Sequence, residues 1–322
     1  MKWRVVLVLL AGLAGIASAA ESGQQRAQVA GKALIGQPGP SASLTSIDGQ
    51  RIDLAASYGR QPVYLKFWAT WCKPCNEQAA GFEQLYQQYG KRINVVSVNT
   101  GYSETEADVR AFIARHKLHM PTVIDDGSLA GKLNLRVTPQ HVLIDANGRI
   151  VHVGHLDDKE LHAALERVAT TAPAAGAIAL APQSAAPAAF RVGDQVSGVT
   201  LTTTAGKKIT LGAGKPRTLV FFSPWCESYL RETRPAVSAA CREVRLEAER
   251  LARNRTTEWI GISSPLWTSG AELADYAREN KTTIALALDQ DGAIFRAFGV
   301  RNIPTIVTLD AQGRISNVVA QP

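Results

Sequence analysis

The sequence has no dense run of lysine or arginine, and its net charge of +7 is a mild bias that gives no argument for a nucleic-acid partner. Beyond the first twenty residues it has no stretch apolar enough to cross a bilayer, which takes roughly 20 residues. No cysteine follows that first apolar run, where a lipid attachment site would lie. There are only four cysteines, and Cys226 and Cys241 stand too far apart to form the second close ligand pair that a zinc ribbon requires. Residues 163–322 lack histidine altogether: His116, His119, His141, His152, His155 and His162 all precede them. What remains is ordinary, with 46% apolar and 20% charged residues, the composition of a folded chain. At 322 residues the length is about twice that of one domain, so two are expected.

The first twenty residues have the parts of a secretory leader: Lys2 and Arg4, the apolar run Val5 to Ile16, then Ala17-Ser18-Ala19-Ala20. Cleavage near Ala19 or Ala20 would leave a soluble, periplasmic or otherwise exported protein, in a compartment where disulfides persist. An uncleaved membrane anchor is the alternative.

Residues 171–189 are an uncharged stretch of Ala, Pro and Ser that reads as a linker. On either side the sequence repeats itself. Gly49-Gln50-Arg51-Ile52-Asp53-Leu54 matches Gly206-Lys207-Lys208-Ile209-Thr210-Leu211. The run from Leu143 to Ile150 matches Thr308 to Ile315 at the interval that also relates Pro139 to Pro304. The expected organisation is a leader (1–20), an N-terminal extension (21–33), a first domain (34–170), the linker (171–189) and a second copy of the fold (190–322).

Within the first copy, Val63 to Trp68 and Asn94 to Asn99 read as strands, and Ala79, Phe82, Leu85, Tyr86 and Tyr89 between them recur at helical spacing. A second helix carries Val109, Phe112 and Ile113, and a strand follows at Pro121 to Asp125. A hairpin then turns through Asn147-Gly148, and a helix runs from about Asp157 to Thr170 with Asp157 and Glu160 as its capping box. The fold class is therefore α/β, two tandem domains each with a mixed central sheet flanked by helices.

Trp71-Cys72-Lys73-Pro74-Cys75 falls where the first strand gives way to a helix. There Cys72 meets unsatisfied backbone N–H groups and the positive end of the helix dipole, which favour the thiolate that disulfide exchange requires. Cys75, one turn further on, is placed to resolve a mixed disulfide formed by Cys72. Pro74 suits a first helical turn.

These residues, with Val137-Thr138-Pro139, resemble the thioredoxin superfamily and, within it, the exported TlpA/ResA-like thiol-disulfide oxidoreductases, over roughly Leu34 to Thr170. The resemblance implies a cis peptide at Pro139 that aligns a bound substrate backbone, backbone contacts to substrate from Thr138, and a flat indole from Trp71 beside the first cysteine. It implies a reductase of client proteins such as cytochrome c or oxidase assembly substrates. Electrons would come from a membrane donor of the DsbD or CcdA kind, with no cofactor beyond the Cys72–Cys75 pair. Two features depart from the family. Lys66 stands where thioredoxins carry a buried Asp, a half-buried charge that either lowers the Cys72 pKa or is itself partly neutral. Gln78 and Ala80 replace an expected Glu and Pro, leaving Glu77 as a candidate proton shuttle or an exposed helix carboxylate.

Rival readings concern both halves. A copper-handling factor would need two cysteines and a histidine; His152 and His155, three apart on a strand end, face opposite sides and read as exposed. A client-binding or chaperone-like protein suits the second copy better, since Cys226-Glu227-Ser228-Tyr229 has lost the resolving cysteine. There, Cys226 and Cys241 are candidates for a structural disulfide. On one continuous helix they would be roughly 22 Å apart, so the helix has to start late, at Pro235, with Cys226 in the loop before it. The alternative is a free Cys226 thiol.

Overall fold

A computed structural model of the chain describes residues 21–173, 188–212 and 214–320. The expected leader and most of the expected linker lie outside these residues.

The first unit begins with helix α1 (Gly23–Leu34), followed by the short hairpin β1 (Ser43–Thr45) and β2 (Arg51–Asp53) and the turn of helix α2 (Leu54–Ser57). Then come β3 (Val63–Trp68), α3 (Lys73–Glu77), α4 (Ala79–Tyr89), β4 (Asn94–Asn99), α5 (Glu106–His116), β5 (Thr122–Ile124), α6 (Ser128–Lys132), β6 (Gln140–Ile144), β7 (Ile150–Gly154) and α7 (Lys159–Thr170). Its sheet has the order β5-β4-β3-β6-β7, with β3, β4 and β5 parallel and β6 and β7 antiparallel. Central β3 is buried at all six positions, as a strand covered on both faces must be. Lys66 is the one charge it takes inside.

The second unit repeats this plan. It comprises β8 (Thr200–Thr202), β9 (Lys208–Thr210), β10 (Arg217–Phe222), α8 (Cys226–Tyr229), α9 (Pro235–Ala252), β11 (Glu258–Ser263), α10 (Gly270–Glu279), β12 (Ala285–Leu288), α11 (Ala293–Ala297), β13 (Thr305–Leu309) and β14 (Ile315–Ala320). The order β12-β11-β10-β13-β14 matches the first sheet strand for strand.

Most residues of the expected N-terminal extension form α1, whose buried Ala27, Ala30, Gly31 and Leu34 lie along β7 and shield that sheet edge. Two expectations are corrected. The N-cap of α7 is Asp158, which accepts from the N–H groups of Glu160 and Leu161, while Asp157 pairs with His162. Capping follows the residue whose backbone is extended where the helix begins, and sequence spacing misplaced it by one. Cys226 opens the single-turn helix α8 instead of lying in a loop; residues 230–234 separate it from α9. That break brings the Cα atoms of Cys226 and Cys241 to 6.3 Å, and their sulfurs are bonded.

The two units meet through the ends of their central strands. Trp71 lies against Trp225 with ring centroids 5.1 Å apart, and Tyr102 against Phe295 at 6.2 Å. One continuous apolar cluster runs through both units.

Candidate functional site

The loop after β3 delivers Cys72 to the N-cap of α3, with Pro74 in the first turn. The cap sulfur lies 3.2 Å from the backbone nitrogen of Cys75 and 3.2 Å from the carbonyl oxygen of Thr138. Cys72 and Cys75 are disulfide-bonded, with Cα atoms 5.2 Å apart. The Thr138–Pro139 peptide is cis and places that carbonyl against the pair. The Trp71 indole donates to the carbonyl of Tyr102 at 2.8 Å, which fixes its plane beside Cys72. Thus Trp71, Cys72, Cys75, Thr138 and Pro139 converge on one face.

The N-terminal turn is held by residues that sequence reasoning did not single out. Asn76 donates to the carbonyls of Thr70 and Cys72 at 3.1 and 2.9 Å, and Glu104 accepts from the Thr70 N–H and, at 2.7 Å, from Asn99. Loss of water around Glu104 raises its pKa, against the pull of those hydrogen bonds.

Beneath the pair runs a buried polar chain. Lys66, only 2% exposed, donates to the Gln78 carbonyl at 3.2 Å and sits 4.7 Å from the centre of the Phe82 ring. Burial lowers its pKa to about 7, with Asp157 opposing the shift. Lys66 is therefore fully buried, not half-buried, because β4, β6 and the helix carrying Phe82 surround it. Directly across the ladder stands His141, whose Nδ1 accepts from Tyr64 at 2.7 Å and whose Nε2 donates to the Gln78 side-chain oxygen at 3.1 Å. Burial, then the Lys66 charge, holds His141 well below its ordinary pKa and so neutral. The Gln78 amide donates to the His155 carbonyl at 3.0 Å, and His155 Nδ1 donates to the Pro139 carbonyl at 2.7 Å. Hydrogen bonds thus run from Tyr64 through His141, Gln78 and His155 to the cis proline.

His155 corrects the expectation of exposed histidines. It is buried because β7 is not an open edge and because Trp267 of the second unit meets it edge to face at 5.7 Å. Glu77 lies on the exposed side of α3. Among the described residues, no three His, Cys, Asp or Glu side chains gather as a metal-binding group. The one sequence signal for the buried chain was the presence of Lys66 and His141 inside mostly apolar strands.

A mixed sheet of this order, with a cysteine pair at the helix following its central strand and a cis proline opposite, defines a thioredoxin-like unit. A model of the AhpC/TSA family matches residues 35–153. Thioredoxin-like protein YneN of Bacillus subtilis is 35% identical over 134 residues, covering 41% of this chain and 78% of that protein. Thiol-disulfide oxidoreductase ResA of Bacillus cereus is 30% identical over 141 residues, covering 42% and 80%. Among solved structures, a thiol:disulfide interchange protein of the thioredoxin family from Chlorobium tepidum TLS is 20% identical, with 42% of this chain and 97% of that one covered at a TM-score of 0.38. The chain belongs to the thioredoxin-like thiol-disulfide oxidoreductases.

Proposed function

We propose that the chain is an exported reductase of protein disulfides, with Cys72 as nucleophile and Cys75 as resolving thiol. The Cys72 thiolate attacks one sulfur of a client disulfide, and the other client sulfur leaves as a thiolate and takes up a proton. Cys75, deprotonated, then attacks the Cys72 sulfur and frees the second client thiol. The client gains two electrons and the pair is oxidised to the Cys72–Cys75 disulfide. A membrane donor of the DsbD or CcdA kind returns the electrons, and clients are the cysteines of cytochrome c or oxidase assembly substrates. Thr138 and Pro139 hold the client backbone beside Trp71. The second unit, with Tyr229 in place of the resolving cysteine and Cys226 bonded to Cys241, carries no exchange of its own.

The observation that carries this reading is the Cys72 sulfur at a helix N-cap, 3.2 Å from a backbone N–H and facing the cis proline, in a chain of this family. The test is the reduction potential of the full chain, equilibrated against a defined thiol couple. A value toward about −270 mV supports a reductase, and one near about −120 mV makes it an oxidant and overturns the direction. Cys75→Ser is expected to trap mixed disulfides, whose client partners mass spectrometry identifies.

A further inference from the structure

A cysteine that exchanges with client disulfides has to be reached by them, yet Cys72 is 0% exposed and Cys75 is 2% exposed. The groups that ring Cys72 are engaged by the second unit. Trp71 lies against Trp225, the Lys73 N–H donates to the Tyr229 hydroxyl at 2.9 Å, and Thr70 accepts from Arg234 at 2.9 Å. Thr138, beside the cis proline, accepts from the Trp267 indole at 3.2 Å. These are the places where a client would lie.

The contact is reciprocal, so it is not a chance collision of surfaces. The Ser103 N–H donates to the Arg301 carbonyl and the Trp267 N–H donates to the Arg136 carbonyl, each at 2.8 Å. Arg136 and Arg301 stand three residues before Pro139 and Pro304, and both prolines follow cis bonds. Ser103 and Trp267 each follow the residue whose carbonyl receives the indole N–H of the unit's own tryptophan, Trp71 or Trp225. Both hold a left-handed backbone, with φ of 55°. Non-glycine residues adopt it rarely, and surrounding contacts have to fix it. Ser103 also takes the Ile303 N–H on its hydroxyl at 3.1 Å, beside the second cis proline. Each unit thus grips the other by its proline loop. Tryptophans paired across such a contact, here Trp71 buried and Trp225 partly buried, are the anchors of a specific interface.

We propose that the active face of the first unit is a docking surface for a thioredoxin-fold face, that the second unit is its resident occupant, and that Cys72 meets a client only when that unit lifts away. The proposal rests on the redox reading of Cys72 and deepens it. Joined in one chain, the second unit competes with clients at an effective concentration on the order of millimolar. A partner that presents its own thioredoxin-fold face in the same way displaces it more readily than an unstructured peptide does.

The test is the alkylation rate of Cys72 in the reduced full chain, measured by mass spectrometry of the Cys72 peptide after timed exposure to iodoacetamide. Trp267→Ala and Arg234→Ala are each expected to raise this rate at least about tenfold over wild type, as local opening becomes more frequent. Turnover of a protein disulfide should rise with it. Arg234 is a half-buried loop side chain, so its variant keeps the test open if Trp267→Ala fails to fold. Equal rates in wild type and in the folded variants overturn the proposal. So does a slower rate in Arg234→Ala, which would mean that the guanidinium acts on the thiolate by charge alone. The alkylation comparison needs only an accessible thiol, so it stands even if the chain turns over no client and the redox reading fails.

Discussion

The two units share one strand order and differ at matched positions of it. In the first, Lys66 on β3 faces His141 on β6; in the second, the same rung of β10 and β13 holds Val220 opposite Ile306. Cys72 has its counterpart in Cys226, but Cys75 is replaced by Tyr229, and Cys226 is bonded back into α9. Both units keep a tryptophan before the first cysteine and a cis proline just before the strand that pairs antiparallel with the central one. The tryptophan and the proline loop, kept in both, are the parts by which the units hold one another. The second cysteine and the buried Lys–His pair are kept only in the first.

The sharpest way to break this comparison is to remove each leading cysteine from the full chain. Cys72→Ser is expected to bring dithiothreitol-driven reduction of a protein disulfide down to background, whereas Cys226→Ala with Cys241→Ala leaves the catalysed rate in place. The double variant should instead lose about 3 kcal/mol of stability, the entropy of a closed loop of that length, as read from denaturant midpoints. A catalytic rate that falls in both would erase the division of labour.

Next in size is the buried charge. The Lys66 pKa is lowered from 10.5 to about 7, so between those values the unfolded chain binds more protons and stability rises with pH. The penalty for holding Lys66 charged is on the order of 5 kcal/mol below pH 7 and fades toward pH 10.5. Lys66→Met, which gives the first unit an apolar rung like that of the second, is expected to stabilise the oxidised chain most at pH 6 and least at pH 10. Urea unfolding at the two pH values checks it; a gain that does not shrink with pH would show that Lys66 is not held neutral.

The smallest contrast is at the sheet edges. Edge strand β7 is covered by α1, whereas β14 is exposed after its first residue and Val318 is 40% exposed. Ala30→Asp, on the face of α1 against β7, should cost about 3 kcal/mol or more, and Val318→Asp should stay within about 0.5 kcal/mol. Thermal melts of the two variants side by side decide it.

Much of this was legible in the sequence. Strands β3 and β4 fall at the expected residues because apolar runs rich in β-formers and bounded by helix signals have few other readings. The repeat and the cysteine pair pointed to the fold and the chemistry. The polar chain was not legible, because Lys66 and His141 are far apart in sequence and become neighbours only through the β3–β6 register. His155 looked exposed because strand alternation says nothing of what covers the strand, and both α1 and Trp267 do. The contact between units was hidden for the same reason. Nothing local to Trp267 in the sequence names Arg136 or Thr138 as its partners.

The reciprocal grip of the proline loops has an evolutionary consequence. A contact in which equivalent residues answer one another is the geometry of a two-fold homodimer, here enclosed within a single chain. In a homodimer every substitution appears on both faces, so a copy cannot give up its chemistry without its twin doing the same. Duplication and fusion remove that bond. In this chain one copy holds valine and isoleucine where the other holds a buried lysine and histidine, and tyrosine where the other holds its second cysteine, while the tryptophan and the proline loop stand in both.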